Sequence, residues 1–420
     1  MSVDEDSTGM GFIETLRERG LIAQITHEDE LREHLKEAPR TAYIGFDPTA
    51  ASLHVGSLLQ IMTLRRWQQA GGRVVALVGG GTVMVGDPTG KSELRQMLTP
   101  ETIAGNMVGI KKQLEHFIDF SSPSRAIMVN NYDWLGKLNY LEFLREIGPH
   151  FSVNRMLTAE CFKQRLEKGL SFLEFNYMLL QSYDFLHLYR HEQCTLQMGG
   201  DDQWSNILAG MELVRRLAGG KAFCLTTPLL TTSDGKKMGK TEKGAVWLDG
   251  SLTSPYEYFQ YWRNVEDSVV GNSLAYFTEL PMTEVNRLAA LTGAGINEAK
   301  KVLAFEATRL LHGKEAAEQA AAAAQKLFSG GDGAGGNEPE VLLAASEFGD
   351  GMGVLDLLVK AKVVPSKAEA RRLVEQGGLA INGEKVDDIH GKIVRSDFKD
   401  ESGCLIKKGK KHYFRLRLSN

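Results

Sequence analysis

A histidine and a glycine stand where a helix begins, a place suited to binding phosphate. The apolar run 42–46 predicts a short buried strand, Asp47-Pro48 ends it, and residues 55–70 carry apolar side chains at helical spacing. His54 and Gly56 therefore open a helix at the carboxyl end of a strand. The free N–H groups of a helix start attract phosphate, and His54 can donate to charge that develops there. A surface turn has the same pattern, so the pair needs support from elsewhere.

Two lysines in a later loop could act on the same phosphates. Lys237 and Lys240 lie three residues apart in a stretch that also contains Gly235 and Gly239. Lysines on a mobile loop can clamp a polyphosphate and stabilise the charge of a leaving pyrophosphate. A solvated basic loop is the alternative, and it would be preferred if the chain lacked other groups suited to a nucleotide.

Polar side chains on two further elements could line a pocket and bind a ribose. Tyr177, Gln181 and Asp184 are at i, i+4 and i+7, so they project from one face of a helix that is otherwise rich in aromatic residues. Three aligned polar groups in an apolar helix predict a pocket wall rather than an exposed face. Asp202 follows a predicted strand and a glycine pair at another helix start, where a carboxylate can accept both hydroxyls of a ribose.

The two phosphate-directed motifs together resemble the signatures of a known enzyme class. His54-Val55-Gly56-Ser57 and Lys237-Met238-Gly239-Lys240-Thr241 resemble the His-Ile-Gly-His and Lys-Met-Ser-Lys-Ser motifs of class I aminoacyl-tRNA synthetases. The stretches between them look like bacterial-type tyrosyl-tRNA synthetases, and the likeness runs from about residue 10 to residue 420. It implies activation of L-tyrosine by ATP and transfer of the tyrosyl group to the 3′-terminal adenosine of tRNA(Tyr). Ser57 stands where the signature has its second histidine, and its side chain is shorter than that of histidine.

The same resemblance implies roles for individual side chains. The residues implied in catalysis are His54, Lys237, Lys240 and Thr241. Those implied to bind L-tyrosine are Tyr43, Asp87, Tyr177, Gln181, Asp184 and Gln203, with Tyr43 and Asp184 on the substrate hydroxyl and Asp87 on its ammonium group. Those implied to bind ATP are Asp47, His54, Gly56, Asp202, Lys237 and Lys240. Mg²⁺ is expected to arrive with ATP, and no protein-bound metal is expected.

These side chains can meet only in a fold that places the ends of several strands at one edge of a sheet. The order of the predicted elements indicates such a fold. The first strand, its helix and a second strand at 73–78 form a βαβ unit, which predicts an α/β fold with a Rossmann-like parallel-sheet catalytic domain over residues 1–250. By resemblance, residues 251–328 form a helical anticodon-binding domain. Composition predicts a flexible linker at 329–352. Residues 353–420 resemble a small α+β RNA-binding module of the ribosomal protein S-four type.

Charge is distributed unevenly along the chain. Residues 353–420 carry 15 Lys/Arg and 9 Asp/Glu, a net charge of +6, whereas the whole chain carries −4. A basic module on an acidic body predicts an anionic partner, here the tRNA. The candidate RNA contacts are Arg371, Arg372, Lys407, Lys408, Lys410 and Lys411. The alternative is a solvated lysine run that serves only solubility.

Composition sets the broad class of the protein. A 420-residue chain that is 43% hydrophobic and 24% charged is typical of a globular protein with two or three domains. No segment suggests a membrane span or a targeting peptide, so a cytoplasmic location is expected. The four cysteines, Cys161, Cys194, Cys224 and Cys404, lack the spacing of a zinc site or a disulfide framework. A homodimer is expected from the resemblance alone.

Other classes of protein each leave part of the sequence unexplained. Glycine, lysine and serine at 90–92 end like a P-loop, but the first glycine of that motif would fall at Val85. A nucleotidyltransferase acting on a free carboxylic acid would not need the basic module. A tryptophanyl enzyme would need an indole pocket in place of Tyr43 and Asp184. A noncatalytic RNA-binding protein would leave His54 without a role.

Overall fold

The computed structural model describes most of the chain as two compact units. The described residues are 10–37, 40–87, 98–167, 169–231, 238, 240–241, 244–328, 340–344, 348, 351–398, 403–409 and 412–419. The first unit extends to Lys314 and the second begins at Glu315. Within these ranges, no helix has the length and apolar content that crossing a bilayer requires.

A six-stranded sheet forms the centre of the first unit. Its strands are β1 (Gln24–Ile25), β2 (Thr41–Phe46), β3 (Arg73–Val78), β4 (Ala126–Asn130), β5 (Cys194–Gly200) and β6 (Phe223–Thr227), in the order β1-β6-β5-β2-β3-β4. Only the β1–β6 pair is antiparallel within this sheet. The chain builds outward from β2 in one direction and from β5 in the other, so the switch point lies between these two strands. Ligands of open α/β sheets bind at that point, and the predicted parallel-sheet fold is confirmed.

Helices flank this sheet and continue beyond it. They are α1 (Met10–Glu18), α2 (Glu28–His34), α3 (Val55–Gln69), α4 (Pro100–Leu114), α5 (Tyr132–Leu135), α6 (Tyr140–Glu146), α7 (Val153–Leu157), α8 (Glu160–Leu166), α9 (Phe172–Phe175), α10 (Tyr177–Glu192), α11 (Trp204–Ala218), α12 (Pro255–Arg263), α13 (Val270–Phe277), α14 (Met282–Ala289) and α15 (Ile296–His312). A two-stranded ladder joins β7 (Lys240–Thr241) to β8 (Gly244–Ala245). Short 3₁₀ turns lie at Thr82–Met84, Gly148–His150, Asp201–Gln203, Asp267–Val269 and Gly293–Gly295.

The apolar runs of the sequence explain why the central strands form. In β3, every residue from Val74 to Val78 is buried, as expected of a parallel strand covered by helices on both faces. Val75 and Leu77 of this strand pack with Phe185 and Leu186 of α10 in one core cluster. The helical part after the sheet begins at a capping box, in which Ser254 and Glu257 bind each other's backbone N–H groups at the start of α12.

Two arginines, one in α3 and one directly after α1, contact the carboxyl end of α13. Arg66 of α3 is 6% exposed, and its guanidinium donates to the carbonyls of Ala275, Tyr276 and Thr278 at 3.2, 2.9 and 3.3 Å. Arg19 donates to the Ala275 carbonyl at 2.8 Å. The last carbonyls of a helix lack partners within the helix, so cations bind there favourably. These contacts fix the helical part of the first unit against the helix that begins at His54.

The second unit contains the C-terminal sheet. Its elements are α16, which begins at the division (Lys314–Phe328), β9 (Glu340–Ala344), β10 (Gly351–Gly353), α17 (Val354–Lys360), α18 (Lys367–Glu375), β11 (Leu379–Ile381), β12 (Glu384–Lys385), β13 (Lys392–Val394), a 3₁₀ turn at Arg395–Asp397, β14 (Cys404–Lys408) and β15 (His412–Ser419). The five-stranded sheet has the order β12-β11-β14-β15-β9, and β10 pairs with β13 separately.

The domain limits of the structure differ from those drawn from composition. The parallel pairing of β9 with β15 and the burial of Phe348 place residues 340–344 and Phe348 in the C-terminal unit, although composition assigns 329–352 to a linker. The division into compact units also falls after Lys314 and not at residue 328. Glycine and acidic residues surround β9, so its local sequence is typical of a linker. Its pairing partner, β15, lies about seventy residues further along the chain.

Candidate active site

A cavity of about 340 Å³ lies at the switch point of the sheet, between the carboxyl ends of β2 and β5. It is lined by residues from five separate stretches of sequence. The sequence-predicted residues that line it are Tyr43, Asp47, His54, Gly56, Asp87, Tyr177, Gln181, Asp184, Asp202 and Gln203. The helix face predicted from i, i+4 and i+7 spacing therefore forms one wall.

His54 caps the helix that it opens. Its backbone is extended, and Nδ1 accepts the N–H of Gly56 at 2.9 Å. Because Nδ1 is the acceptor, the neutral ring carries its proton on Nε2, the nitrogen that can donate to a phosphate oxygen. A β-carbon at Gly56 would lie 2.6 Å from the His54 ring, so glycine at this position permits the cap.

The chain around the second lysine motif returns to the start of α3. Met238 lies between the two lysines; it is buried, and its carbonyl oxygen is 3.4 Å from the place that a Gly56 β-carbon would occupy. Further on, Val55 N–H donates to the Val246 carbonyl at 2.9 Å, and Trp247 lines the cavity beside His54 with ring centroids 6.2 Å apart. The motifs are thus adjacent in space. Lys237 lies outside the described residues, as do the side chains of Lys240 and Thr241 in β7.

Asp184 is a buried carboxyl with two donors already in place. It is 2% exposed, and it accepts hydrogen bonds from Asn131 Nδ2 at 2.9 Å and Trp134 Nε1 at 2.8 Å. Burial raises the pKa of this carboxyl from its ordinary value of 3.8 to about 7, while the two hydrogen bonds act in the opposite direction. Near neutral pH the group can therefore carry either protonation state.

Tyr43 faces the cavity with an unsatisfied hydroxyl. The side chain is 2% exposed, and its oxygen has no hydrogen-bond partner among the described residues. Burial raises the pKa of the Tyr43 hydroxyl well above its ordinary value, and the nearby Asp184 raises it further. An unpaired buried hydroxyl is costly. A ligand hydroxyl bound here would pair with both Tyr43 and Asp184.

Asn131 fixes Asp184 in position, and sequence reasoning did not identify it. It is fully buried; its Nδ2 donates to Asp184 and to Thr82 Oγ1, both at 2.9 Å, and its Oδ1 accepts the Gly81 N–H at 2.7 Å. Trp134, the other donor to Asp184, was also missed. Both residues follow β4 directly, at the same sheet edge as the cavity, and that placement is the signal that could have found them.

The adjacent carboxylates of Asp201 and Asp202 have different environments. Asp201 accepts from Gln24 Nε2 at 2.7 Å and from Thr226 Oγ1 at 2.8 Å, and it is not among the described residues that line the cavity. Asp202 lines the cavity. Gln203 donates to the Asp87 carboxylate at 2.7 Å and so orients it. One carboxylate therefore holds the turn after β5, and its neighbour faces the ligand space.

The thiols are buried and the potential metal ligands are dispersed in the described ranges. Within them, no three His, Cys, Asp or Glu side chains are grouped so as to hold a metal ion. Cys194, Cys224 and Cys404 are buried free thiols, and burial raises the pKa of each. The side chain of Cys161 lies outside the description.

The candidate RNA contacts of the second unit differ in their surroundings. Arg371 and Arg372 are exposed on α18. Lys407 in β14 holds its ammonium 5.5 Å from the ring centroid of Tyr413. The ammonium of Lys408 donates to the Val363 carbonyl at 3.0 Å and to Glu369 at 3.3 Å, so it already has partners within the unit. Lys410 and Lys411 lie outside the described residues.

Comparison with known proteins yields one family. The model of class I tRNA synthetases (W and Y) matches residues 35–329, and that of the tyrosine–tRNA ligase SYY-like C-terminal domain matches residues 342–416. The chain is 57% identical to a tyrosine–tRNA ligase of Clostridium beijerinckii over 97% of this chain and 99% of the relative. It is 58% identical to one of Clostridium botulinum over 96% and 98%.

A solved structure agrees with these sequence matches. A C-terminally truncated mitochondrial tyrosyl-tRNA synthetase of Aspergillus nidulans is 32% identical, with a TM-score of 0.67 over 76% of this chain and 94% of that chain. The resemblance inferred from the two motifs is confirmed. The chain belongs to the tyrosine–tRNA ligases, a family of class I aminoacyl-tRNA synthetases.

Proposed function

We propose that the protein activates L-tyrosine with ATP and transfers the tyrosyl group to the 3′-terminal adenosine of tRNA(Tyr). The observation that carries this proposal is that a buried Tyr43 hydroxyl, the Asp184 carboxyl and a helix start capped by His54 lie in one and the same cavity. The first two groups suit a phenol, and the helix start suits a phosphate. A phenol and a phosphate are both present when a hydroxyl-bearing aromatic amino acid binds beside a nucleotide.

Tyrosine is recognised at its two polar ends. Its hydroxyl donates to Asp184 and accepts from Tyr43, while phenylalanine would leave both buried groups unpaired. Asp87, oriented by Gln203, accepts from the substrate ammonium group. Tyr177 and Gln181 on α10 complete the wall, and the buried Gln181 Oε1, which has no partner among the described residues, supports a ligand contact there.

Activation of tyrosine depends on how the two substrates are positioned, and it does not require a nucleophilic side chain of the protein. A carboxylate oxygen of tyrosine attacks the α-phosphorus of ATP, and the bond from that phosphorus to the bridging oxygen of pyrophosphate breaks. Nε2 of His54 and the N–H groups at the start of α3 stabilise the charge on the phosphates. Mg²⁺ enters as part of the ATP substrate. The residues that complete the nucleotide site are Asp47, Gly56, Asp202, Lys237, Lys240 and Thr241.

Transfer to tRNA starts from tyrosyl-adenylate, the product of the activation step. A ribose hydroxyl of the terminal adenosine attacks the tyrosyl carbonyl, and AMP leaves with the phosphate oxygen. We assign anticodon binding to residues 251–328, and RNA-backbone binding to the basic C-terminal residues Arg371, Arg372, Lys407, Lys408, Lys410 and Lys411. The exposure of Arg371 and Arg372 supports this assignment. The +6 charge of residues 353–420 also supports it.

We also propose a homodimer that acts in the cytoplasm. Seven of the thirteen exposed large apolar side chains among the described residues fall between positions 132 and 173: Tyr132, Tyr140, Leu141, Val153, Leu166, Phe172 and Leu173. Exposed apolar side chains concentrated in one segment are typical of protein interfaces. Sedimentation equilibrium tests the dimer, and Leu141→Glu combined with Phe172→Glu should shift the mass to that of a monomer.

Exchange of labelled pyrophosphate into ATP tests the enzymatic proposal. With tyrosine, tryptophan or phenylalanine supplied separately, we expect exchange with tyrosine alone. Preference for tryptophan would indicate a tryptophanyl enzyme. Exchange with tyrosine but without charging of tRNA(Tyr) would favour a nucleotidyltransferase. No dependence on an amino acid would reject the synthetase activity.

A further inference from the structure

Helix α4 presents polar groups along the stripe that it buries. Asn106 and Gln113 are 8% and 4% exposed, and they lie on the same face as the buried Ile103 and Ile110. With Gly109 they occupy i, i+3 and i+7, one continuous line on the helix. Polar side chains in such a stripe are costly unless they have hydrogen-bond partners, so their partners indicate what the helix is built to hold.

All three positions contact the loop between β2 and α3. Nδ2 of Asn106 donates to the Pro48 carbonyl at 2.9 Å, and Oε1 of Gln113 accepts the Leu53 N–H at 2.7 Å. Between them, the Ala51 carbonyl oxygen lies against Gly109, where an added β-carbon would be only 2.0 Å from it. Three successive turns of α4 therefore hold the backbone of one loop.

This loop forms part of the cavity wall and leads directly into His54. Thr49, Ala50, Ser52 and Leu53 line the cavity. On its other side the loop is bound to the chain after β8, since Leu248 N–H donates to the Leu53 carbonyl at 2.9 Å. Contacts with α4 on one side and with the chain after β8 on the other thus fix the position of the loop. The position of the His54 ring is fixed with it.

We propose that Asn106, Gly109 and Gln113 are positioning residues for the nucleotide part of the site, because α4 fixes the 48–53 loop against which ATP binds. The inference rests on the proposed function and extends it to residues that make no contact with the substrates. Tyrosine is bound by α10, β2 and the turn after β5, so displacement of the loop affects ATP and leaves the tyrosine contacts in place.

Two glycines of α4 give a matched pair of substitutions. Gly105→Ala and Gly109→Ala each replace a helix-interior glycine, and each favours the helix itself. A β-carbon at Gly105 meets nothing within 4 Å, whereas one at Gly109 collides with the Ala51 carbonyl. Since a shift of about 1 Å in a reacting group can cost about 10²-fold in rate, Gly109→Ala should lower kcat/KM for ATP in pyrophosphate exchange by about that factor. Gly105→Ala should stay within about twofold of the wild type.

The tyrosine dissociation constant, measured by equilibrium dialysis, distinguishes positioning from general damage. It should be the same in wild type, Gly105→Ala and Gly109→Ala within about twofold. Equal ATP kinetics in the two alanine variants would overturn the proposal, as would a loss of tyrosine binding that parallels the loss for ATP. If wild type shows no tyrosine-dependent exchange, the proposed function fails, and calorimetric binding of ATP to the same two variants still decides the role of α4.

A second pair of variants tests the positioning role of α4 if Gly109→Ala does not fold. Gln113→Met removes the acceptor of the Leu53 N–H with little change in side-chain length, and Gln113→Glu retains an acceptor oxygen. We expect KM for ATP to rise about tenfold in Gln113→Met, as for one lost buried hydrogen bond, and to recover most of the way in Gln113→Glu. Unchanged KM in Gln113→Met, or equal defects in both, would exclude the positioning role.

Discussion

At the scale of single residues, Asp184 predicts a pH dependence of tyrosine binding. The pKa of its carboxyl is about 7 without substrate. A substrate hydroxyl that donates to it favours the ionised form, so binding is stronger where the group is already ionised and weaker where a proton must first leave. The dissociation constant for tyrosine should fall about tenfold from about pH 6 to about pH 8 and then level off. Equilibrium dialysis measures this.

Asp184→Asn is the control for this pH profile. The amide cannot ionise, so its tyrosine dissociation constant should be weaker and nearly constant over the same pH range. The discrimination between tyrosine and phenylalanine should also drop by at least about tenfold, since a buried hydrogen bond to a charged group is lost. A profile in Asp184→Asn as steep as that of the wild type would assign the titration to another group.

The two signature lysines give the second prediction at this scale. Replacing Lys237 or Lys240 by Ala should slow adenylate formation about a hundredfold, as for the loss of one donor that acts in the transition state, while tyrosine affinity stays the same. Single-turnover measurements separate these effects. Lys221→Ala is the control, since Lys221 makes an exposed ion pair with Glu30. An unchanged single-turnover rate in both signature variants would contradict their assigned role.

Particular residues show how far the sequence predicts the site. Tyr177, Gln181 and Asp184 were predicted together because the helical period determines which side chains share a face. Asn131 and Trp134 lie after the end of β4 at the same sheet edge, but their hydrogen bonds to Asp184 depend on the packing of α10 against that segment. Helical period and strand ends thus predict which residues face a site, while the residues that hold them come from distant parts of the chain.

At the scale of elements, α3 connects the nucleotide site to the helical part of the first unit. Its first turn carries His54 as cap, and its last turn carries Arg66, bound to three carbonyls at the end of α13. Arg66→Met would remove the arginine donor of the Tyr276 carbonyl and would leave Arg19 as the arginine donor to the carbonyls of Ala275 and Thr278. The free energy of unfolding should therefore fall by about 3 kcal/mol, measured by urea denaturation.

The control for Arg66 is an arginine in an exposed ion pair. Arg287 binds Glu284 and Glu298 with 52% of its side chain exposed. Such pairs contribute about 0–1 kcal/mol, so Arg287→Met should change stability little. If the two variants are equally stable, the contacts between α3 and α13 do not contribute as inferred.

The strands show why elements differ in how well they are predicted. β2 and β3 are continuous apolar runs, so the sequence alone indicates buried parallel strands. β9 is a five-residue strand within a stretch of glycine and acidic residues, and its partner β15 begins about seventy residues later. No local pattern reveals this pairing, so composition alone assigns the residues of β9 to a linker.

At the scale of the whole molecule, the two units predict separable activities. The described residues proposed to bind tyrosine and ATP all lie in the first unit, and the basic residues proposed to bind RNA lie in the second. Truncation after Ser329 should leave tyrosine-dependent pyrophosphate exchange near the wild-type rate and sharply reduce charging of tRNA(Tyr). Undiminished charging at moderate salt would indicate that the basic residues serve solubility.

The salt dependence of tRNA binding follows from the charge of the second unit. Each lysine or arginine that neutralises a phosphate releases counterions, so its loss should flatten the plot of log affinity against log salt by up to about one unit. Gln replacements of Lys407, Lys408, Lys410 and Lys411 together should therefore flatten this slope, as measured by filter binding from low to moderate salt.

Lys407 and Lys408 form a matched pair for the same measurement. The two lysines are adjacent in β14, but the Lys408 ammonium already donates to Glu369 and to the Val363 carbonyl, whereas Lys407 lies over the Tyr413 ring. An ammonium bound to a carboxylate must give up that partner to reach a phosphate. Lys407→Gln should thus flatten the slope by about one unit and Lys408→Gln by clearly less. Equal effects of the two would show that the contacts of Lys408 do not restrain it, and a slope unchanged in both would place the RNA elsewhere on the protein.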